Sequence, residues 1–466
     1  MHQKSHFAFA STQGKGLPQT SYQKTKTKDS KMKKPVTIGV VTFNWDGHNY
    51  GQVLQAYALQ RYLRDEIARN GINAEVRQLN VSPFFASKSS WRKYIKIFIL
   101  KIFGEKAFKA IKRLKARLLL GKESFMQWER DSRLTEMMGY EYFSQYIQDI
   151  ESKRKFLEFR EANINLIPLK IRDYEGYKDD MWADIYIAGS DQVWNCWSVD
   201  NILNNAVKKR SEYYMLNFVD KSKLHARKVS YAASFGLKEI SDNIDKSKSI
   251  KEYARKALSD FDAISVREEQ GVRILESLGL QGVCVADPTM LLKKADYERI
   301  LSPLQVQNDI FVYMLGAETF IDKNALMEII KQYQFLYTNA HPDFSCKYDL
   351  QTQFFPTPQE WLGAVRDSQM MITNSFHGCV FAIIMHTPFY YLRLKSDDAH
   401  TRLETLLKVS GLENRVLTDI SQVQEVISAT LQKRDSIDWQ SVDSKINAFV
   451  EKGKVFLQKE VFAFIS

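Results

Sequence analysis

The sequence predicts an α/β protein built from two doubly wound, Rossmann-like domains facing a cleft. Three observations predict it. At 466 residues the chain exceeds what one hydrophobic core ordinarily organises. Short, nearly continuous apolar runs recur along it, each followed by a glycine or polar loop, the pattern of parallel strands covered on both faces. The alternation of strand and helix starts afresh after Asp287-Pro288, which places the joint between the halves near residue 290. The expected organisation is a disordered basic tail over 1–34, an N-terminal domain over 35–290 with a basic helical insertion at about 85–160, and a C-terminal domain over 291–466 with terminal helices.

Residues 36–43 form the first apolar strand, a glycine-bearing loop with His48, Asn49 and Gly51 follows, and 52–64 reads as a helix. Strands are expected at 75–79, 184–188, 228–232, 263–266 and 283–286. The second half repeats the pattern, with strands at 310–315, 334–338, 369–373 and 388–394 and helices at 325–333 and 357–366 between them. Ligands in such sheets sit beyond the carboxyl ends of the strands, so the strand exits carry the candidate chemistry.

Composition narrows the function classes. Hydrophobic content of 44% without repeats fits an ordinary soluble α/β protein. Four cysteines, far apart and without metal-ligand spacing, point to a reducing compartment and away from zinc. No 18-residue apolar run spans a membrane, and no secretory signal is visible. The net charge of +11 is concentrated in two segments. Residues 1–34 carry eight lysines and one aspartate; residues 91–122 carry eleven lysines and arginines against Glu105. The rest of the chain is mildly acidic. Segment 91–122 reads as a basic amphipathic helix, suited to an anionic membrane surface or to packing with solvated lysines. No nucleic-acid recognition motif accompanies the charge.

Five strand exits stand out. Asn49 and Gly51 precede a helix; they can bind ligand or only shape a tight turn. Ser190, Asp191 and Trp194 follow the strand at 184–188, combining a hydroxyl, a carboxylate and an indole on which a sugar ring can stack or which can pack in the core. Ser234 follows 228–232, and Arg267 follows 263–266 with Glu268 and Glu269 beside it as possible surface partners. Asn374, Ser375, His377 and Gly378 follow 369–373. Ser375 is a good N-cap, and His377-Gly378 falls in the first turn of an apolar helix, where amides and the helix dipole favour an anion. An imidazole there can donate to that anion, move a proton, or merely cap the helix.

The strings NYGQVLQAYALQ (49–60), AGSDQVWN (188–195), SYAASFG (230–236), ISVREEQG (264–271), ADPTMLL (286–292) and ITNSFHG (372–378) occur in this order in polysaccharide pyruvyl transferases, and the chain resembles that family from about residue 36 to 395. The resemblance implies a GT-B-type arrangement of the two domains and transfer of pyruvate from phosphoenolpyruvate onto two sugar hydroxyls, forming a ketal, with no cofactor. It implies that Arg267 holds the donor's anionic groups and that His377 sits at the donor phosphate. Many members carry an arginine two residues before that histidine, where this chain has Ser375. On this reading His377 and Asp191 are the catalytic candidates, and Arg267, Asn49, Gly51, Ser190, Trp194, Ser234, Ser375 and Gly378 bind substrate. The expected partners are phosphoenolpyruvate and a saccharide acceptor, possible in lipid-linked form, in the cytoplasm at the inner face of a membrane that 91–122 would contact; no nucleic acid or metal is expected. A GT-B-type glycosyltransferase using a nucleotide sugar is the alternative, since an arginine and a helix N-terminus hold a diphosphate equally well.

Overall fold

The computed structural model of the protein describes residues 34–43, 49–80, 154–168, 183–195, 212–219, 221, 225–240, 250–303, 309–316, 318–340 and 354–465. The basic tail over 1–33, the helix expected over 91–122, the insertion as far as residue 153 and the loop with His48 lie outside the described residues. Residues 35–466 form one compact unit.

Strands β1 (Val36–Val41), β2 (Ala74–Asn80), β3 (Leu166–Pro168), β4 (Ile185–Ala188) and β5 (Arg227–Ser230) make the first sheet, ordered β3-β2-β1-β4-β5 with all pairings parallel. β6 (Ser265–Val266) pairs with β7 (Val283–Cys284), and bridges Val229–Ala263 and Ala233–Val266 carry β6 alongside β5. The order 3-2-1-4-5-6 is doubly wound and reverses between β1 and β4. β8 (Ile310–Met314), β9 (Phe335–Asn339), β10 (Met370–Thr373), β11 (Phe389–Leu392) and β12 (Val416–Leu417) make a second all-parallel sheet, ordered β12-β11-β10-β8-β9, which reverses between β8 and β10. The strands expected in both halves are present.

Among the described residues the main helices are α1 (Tyr50–Arg69), α2 (Ile250–Leu258), α3 (Glu269–Ser277), α4 (Lys294–Glu298), α5 (Lys323–Ile330), α6 (Pro358–Asp367), α7 (Phe376–Met385), α8 (Asp397–Ser410), α9 (Ser421–Leu431) and α10 (Trp439–Leu457), besides a helical stretch at 154–163. Helix α1 outruns the expected end at residue 64. Its last turns keep a narrow apolar stripe, with Leu63 and Ile67 buried in the core, and add on the outer side the Arg61–Asp65 ion pair at 2.8 Å, an i,i+4 contact. Helix α6 starts where it should: Thr357 caps Glu360 N at 3.0 Å, the Glu360 carboxylate returns to Thr357 N at 2.7 Å, and Pro358 holds the first helical position. Helix α7 is buried on every side, because it lies between the two sheets' helices and strands rather than on the surface.

The two sheets share packing. Tyr50, at the start of α1, stacks on Trp361 of α6 with centroids 5.2 Å apart and donates its hydroxyl to Pro356 O at 2.9 Å. Helix α10 leaves the second half and returns to the first. Gly453 sits so close to the Tyr231 hydroxyl that a Cβ there would collide with it. Just past α10, Glu460 forms an ion pair with Arg227 of β5, whose Nε also donates to Glu460 O at 2.9 Å. One apolar cluster accordingly runs through both halves, from Ile38 and Val40 to Phe311, Tyr391 and Val450.

Candidate active site

Both sheets turn their carboxyl edges to one place. β4 leads to Ser190 and Asp191, β6 to Arg267, β7 to Asp287, and β10 to the turn that opens α7, and side chains from all four meet.

Asp287 is the hub. Its Oδ2 accepts from Ser190 Oγ at 2.7 Å and from Arg267 Nη1 at 2.9 Å, and His377 Nε2 lies 3.5 Å away. Oδ1 accepts from the Thr289 backbone N–H at 3.0 Å and hydroxyl at 2.7 Å. Burial alone would raise this carboxyl's pKa; the charge and hydrogen bonding of His377, then Arg267 and Thr289, outweigh it and hold Asp287 well below the usual carboxylate range. It is a fixed negative charge.

Arg267 is only 2% exposed. Asp287 occupies Nη1, and the guanidinium carbon lies 4.3 Å from the centre of the Phe376 ring. Nη2 is 3.7 Å from Asp191 Oδ1, beyond hydrogen-bond length. Among the described residues neither Nε nor Nη2 finds a hydrogen-bond partner. These N–H groups share one edge of the guanidinium, the edge that grips a carboxylate or phosphate at two points. Two charged donors left unpaired in an interior are costly as structure and well suited to receiving an anion.

His377 occupies the first turn of α7. Its Nε2 is also 3.4 Å from Arg267 Nη1. A bare Nε2 can accept from the arginine and a protonated one can donate to Asp287, so the imidazole has a neighbour of the right polarity in either state. Helix α1 presses against the same ring: a Cβ on Gly51 would overlap the imidazole, so only glycine permits the approach. The amino-terminal ends of α1 and α7 therefore converge on His377, adding two helix dipoles to the cationic groups. Backbone strain collects nearby, with Asp191 at φ 73° and Ala232 at φ 54° at adjacent strand exits. Non-glycine residues hold such angles where the surroundings over-determine them, often at functional sites.

Of the residues singled out in the sequence, Arg267, His377, Asp191, Ser190 and Gly51 are thus brought together. Asn49 and Ser375 cap α1 and α7, accepting from Gln52 N at 3.1 Å and Gly378 N at 3.2 Å. Three expectations need correction. Trp194 cannot stack on a sugar: its indole is fully buried, packs on Phe235 and Phe261 at 5.3 and 5.6 Å, and spends its N–H on Tyr214 O. Ser234 is fully buried too and donates to Glu268 Oε1 at 3.0 Å, behind the cluster. Glu268 is not a surface partner of Arg267 either. It is buried and also accepts from the N–H groups of Phe235 and Gly236 at 2.9 and 3.3 Å. Desolvation raises its carboxyl pKa, with Arg267 and Arg402 the leading opposing influences.

Asp287, the hub of the cluster, was not singled out from the sequence, and neither was Arg402, which feels the charges of Arg267, Asp191 and Glu268. Asp287 carried a signal, lying in the ADPTMLL string at a strand exit. Arg402 carried none, since TRLETLL reads as an ordinary amphipathic helix. Among the described residues no cluster of three or more His, Cys, Asp or Glu is placed to hold a metal ion, and no helix is long and apolar enough to cross a membrane.

The family model of polysaccharide pyruvyl transferases matches residues 49–396. The chain belongs to that family. The match spans every strand exit described above, and it makes the protein a transferase of polysaccharide modification. No curated relative matches it in sequence. Among solved structures it is similar to Arabidopsis thaliana UGT89C1 complexed with UDP-L-rhamnose (10% identity, 91% of this chain and 95% of that one, TM-score 0.42). It is also similar to UDP-N-acetylglucosamine 2-epimerase from Rickettsia bellii (10%, 92% and 100%, 0.36) and to the spinosyn rhamnosyltransferase SpnG (8%, 91% and 99%, 0.40). Identity and score at this level do not bear on activity. The transferase's own two doubly wound sheets, meeting at their carboxyl edges, agree with the expected two-domain α/β architecture.

Proposed function

We propose that the transferase moves a pyruvyl group from phosphoenolpyruvate to two hydroxyls of a sugar in a cell-surface polysaccharide or its lipid-linked precursor, closing a ketal. The single observation that supports this most is the unpaired Nε–Nη2 edge of Arg267 beside the amide end of α7. Phosphoenolpyruvate carries a phosphate and a carboxylate, and a two-point cationic fork beside oriented amides is the chemistry that receives such groups.

The reaction needs one acid and one base. The methylene carbon of the enol takes a proton while its neighbouring carbon accepts the first sugar oxygen, whose proton passes to a base. The bond to the phosphate oxygen then breaks, phosphate leaves with the electron pair, and the second hydroxyl adds, its proton leaving on phosphate. Phosphoenolpyruvate and a diol become a ketal and inorganic phosphate, with no oxidation. His377 is the acid and the group steadying the phosphate; Asp191, held at the strand exit 3.7 Å from Arg267, takes the hydroxyl proton, so the two exchanges balance. Asp287 stays ionised and orients both Arg267 and His377. The scheme uses no cofactor. Contact of 91–122 with an anionic membrane, where lipid-linked acceptors reside, is part of the proposal on sequence grounds alone.

The test is calorimetric binding of phosphoenolpyruvate against a panel of nucleotide sugars, followed by phosphate release with membrane glycolipid as acceptor. Phosphoenolpyruvate is expected to bind, and His377→Ala to lose about 10²–10⁴ in turnover, the span for a positioned acid or base. Binding of a nucleotide sugar with indifference to phosphoenolpyruvate would replace this reading with the glycosyltransferase one. Near-normal turnover of His377→Ala would remove the mechanism.

A further inference from the structure

Ser375 is spent on capping α7, and Arg267 spends one of its nitrogens on Asp287. A donor with two anionic groups calls for more positive charge than remains. The structure supplies it from the other half of the molecule. Helix α8 lies against the start of α3, where Thr405 Oγ receives the Glu269 N–H at 3.2 Å and Lys408 pairs with the Glu269 carboxylate at 3.2 Å. Arg402 is one turn before Thr405 on the same face of α8, so it points at the strand exit that carries Arg267 and Glu268. With the Gln192 amide turned so that its oxygen faces α8, Arg402 Nη2 donates to that oxygen at 3.0 Å. Gln192 in turn gives its backbone N–H to Asp191 Oδ1 at 2.8 Å, the same oxygen that stands 3.7 Å from Arg267 Nη2. The two guanidinium groups therefore flank Asp191 and Gln192, with Arg402 on the side of Arg267's unpaired edge.

We infer that Arg402 is a donor-binding residue, the second cation of the pocket, and that it takes the donor's carboxylate while Arg267, His377 and the amide end of α7 take the phosphate. The inference rests on the donor pocket proposed above. Electrostatics agree with the geometry. Burial is the leading influence that lowers the Arg402 pKa, the charge of Arg267 adds to it, and Asp191 and Glu268 pull the other way. Two like charges held near one another in a partly buried setting are relieved by an anion arriving between them. Division of the anionic groups also ties the donor site to both halves of the chain, since Arg267 comes from the first sheet and Arg402 from a helix after the second.

The experiment measures binding of phosphoenolpyruvate and of inorganic phosphate by calorimetry to the full-length wild type, Arg402→Gln, Arg402→Lys and Lys408→Gln. Arg402→Gln should weaken phosphoenolpyruvate about 10- to 100-fold, the worth of a charged hydrogen-bonded contact, and change phosphate binding less than about threefold. Arg402→Lys, which keeps the charge but not the fork, should fall between, and Lys408→Gln, an exposed charge on the same helix, should match wild type. In steady state KM for the donor should rise with kcat kept within a few-fold, the mark of a contact made equally in ground and transition states and not of a loosened fold. If Arg402→Gln does not fold, Arg402→Lys carries the same comparison. Unchanged phosphoenolpyruvate affinity in the arginine variants, with wild type binding it, would overturn this inference and leave the proposed function standing. Equal loss in Lys408→Gln, or equal loss of both ligands, would overturn it as well. A wild type that binds no phosphoenolpyruvate would overturn the functional reading first and this assignment with it.

Discussion

Glu268 shows how far the surroundings of one side chain can depart from its sequence neighbourhood, and what that does to the protein. In the sequence it stands next to an arginine and looks like its solvent-facing partner. In the fold it points inward, takes three donors on Oε1, and leaves Oε2 without a partner among the described residues. Its pKa is raised, chiefly by desolvation. The folded protein thus holds this proton to a higher pH than the unfolded chain does. The associated stability is complete below the unfolded glutamate value and falls as pH rises from there through the raised folded value, by about 1.4 kcal/mol for each pH unit in that window. Glu268→Gln keeps an acceptor oxygen and loses the titration, so its stability relative to wild type should grow with pH across the window. Urea unfolding of both proteins between about pH 4 and 8 checks this, and parallel curves would refute it. Arg267, His377, Asp191 and Ser190 were legible because each follows an apolar strand in a recognisable string. The use of Trp194 was not, because an indole that stacks on a ligand and one that fills a core have the same sequence surroundings. Arg402 was hidden for a different reason: its role depends on where a surface-like helix docks.

At the scale of elements, the strands buried on both faces announced themselves. β1, β8 and β10 are runs such as VTIGVV, IFVYM and MMIT that only a covered parallel sheet accommodates. β3 and β12 span three and two residues, too few to carry any periodicity, and their pairing is decided by neighbours distant in sequence. The junction of α1 with α7 was legible as residues but not as a contact. Gly51 stands in the sequence as a substrate-binding candidate or a turn-former, and in the fold it lets one helix end touch the imidazole of another. Gly51→Ala should therefore act through His377. A methyl group there has no room beside the ring, and overpacking of this kind costs about 1–3 kcal/mol. The expected result is a folded protein with lowered melting temperature and turnover reduced at least tenfold, read by circular dichroism and phosphate release. Wild-type turnover in a stable Gly51→Ala protein would mean the two helix ends are not held together as described.

At the scale of the molecule, two sheets were expected from the renewed strand–helix alternation, and the described residues show two five-stranded ones, the first extended through bridges by the β6–β7 pair. What the sequence concealed is how firmly they are joined. The Tyr50–Trp361 stack, the return of α10 to Tyr231 and Arg227, and an apolar cluster that ignores the boundary leave little that could unfold alone. Calorimetry should record a single transition whose calorimetric and van't Hoff enthalpies agree, and two resolved transitions would contradict the shared core. The meeting of α1 and α7 has a last consequence. The positive potential at their ends arises from peptide groups, which neither gain nor lose protons in water. Part of the pull on a negatively charged guest is therefore permanent. No change of acidity can silence those amides while the chain stays folded.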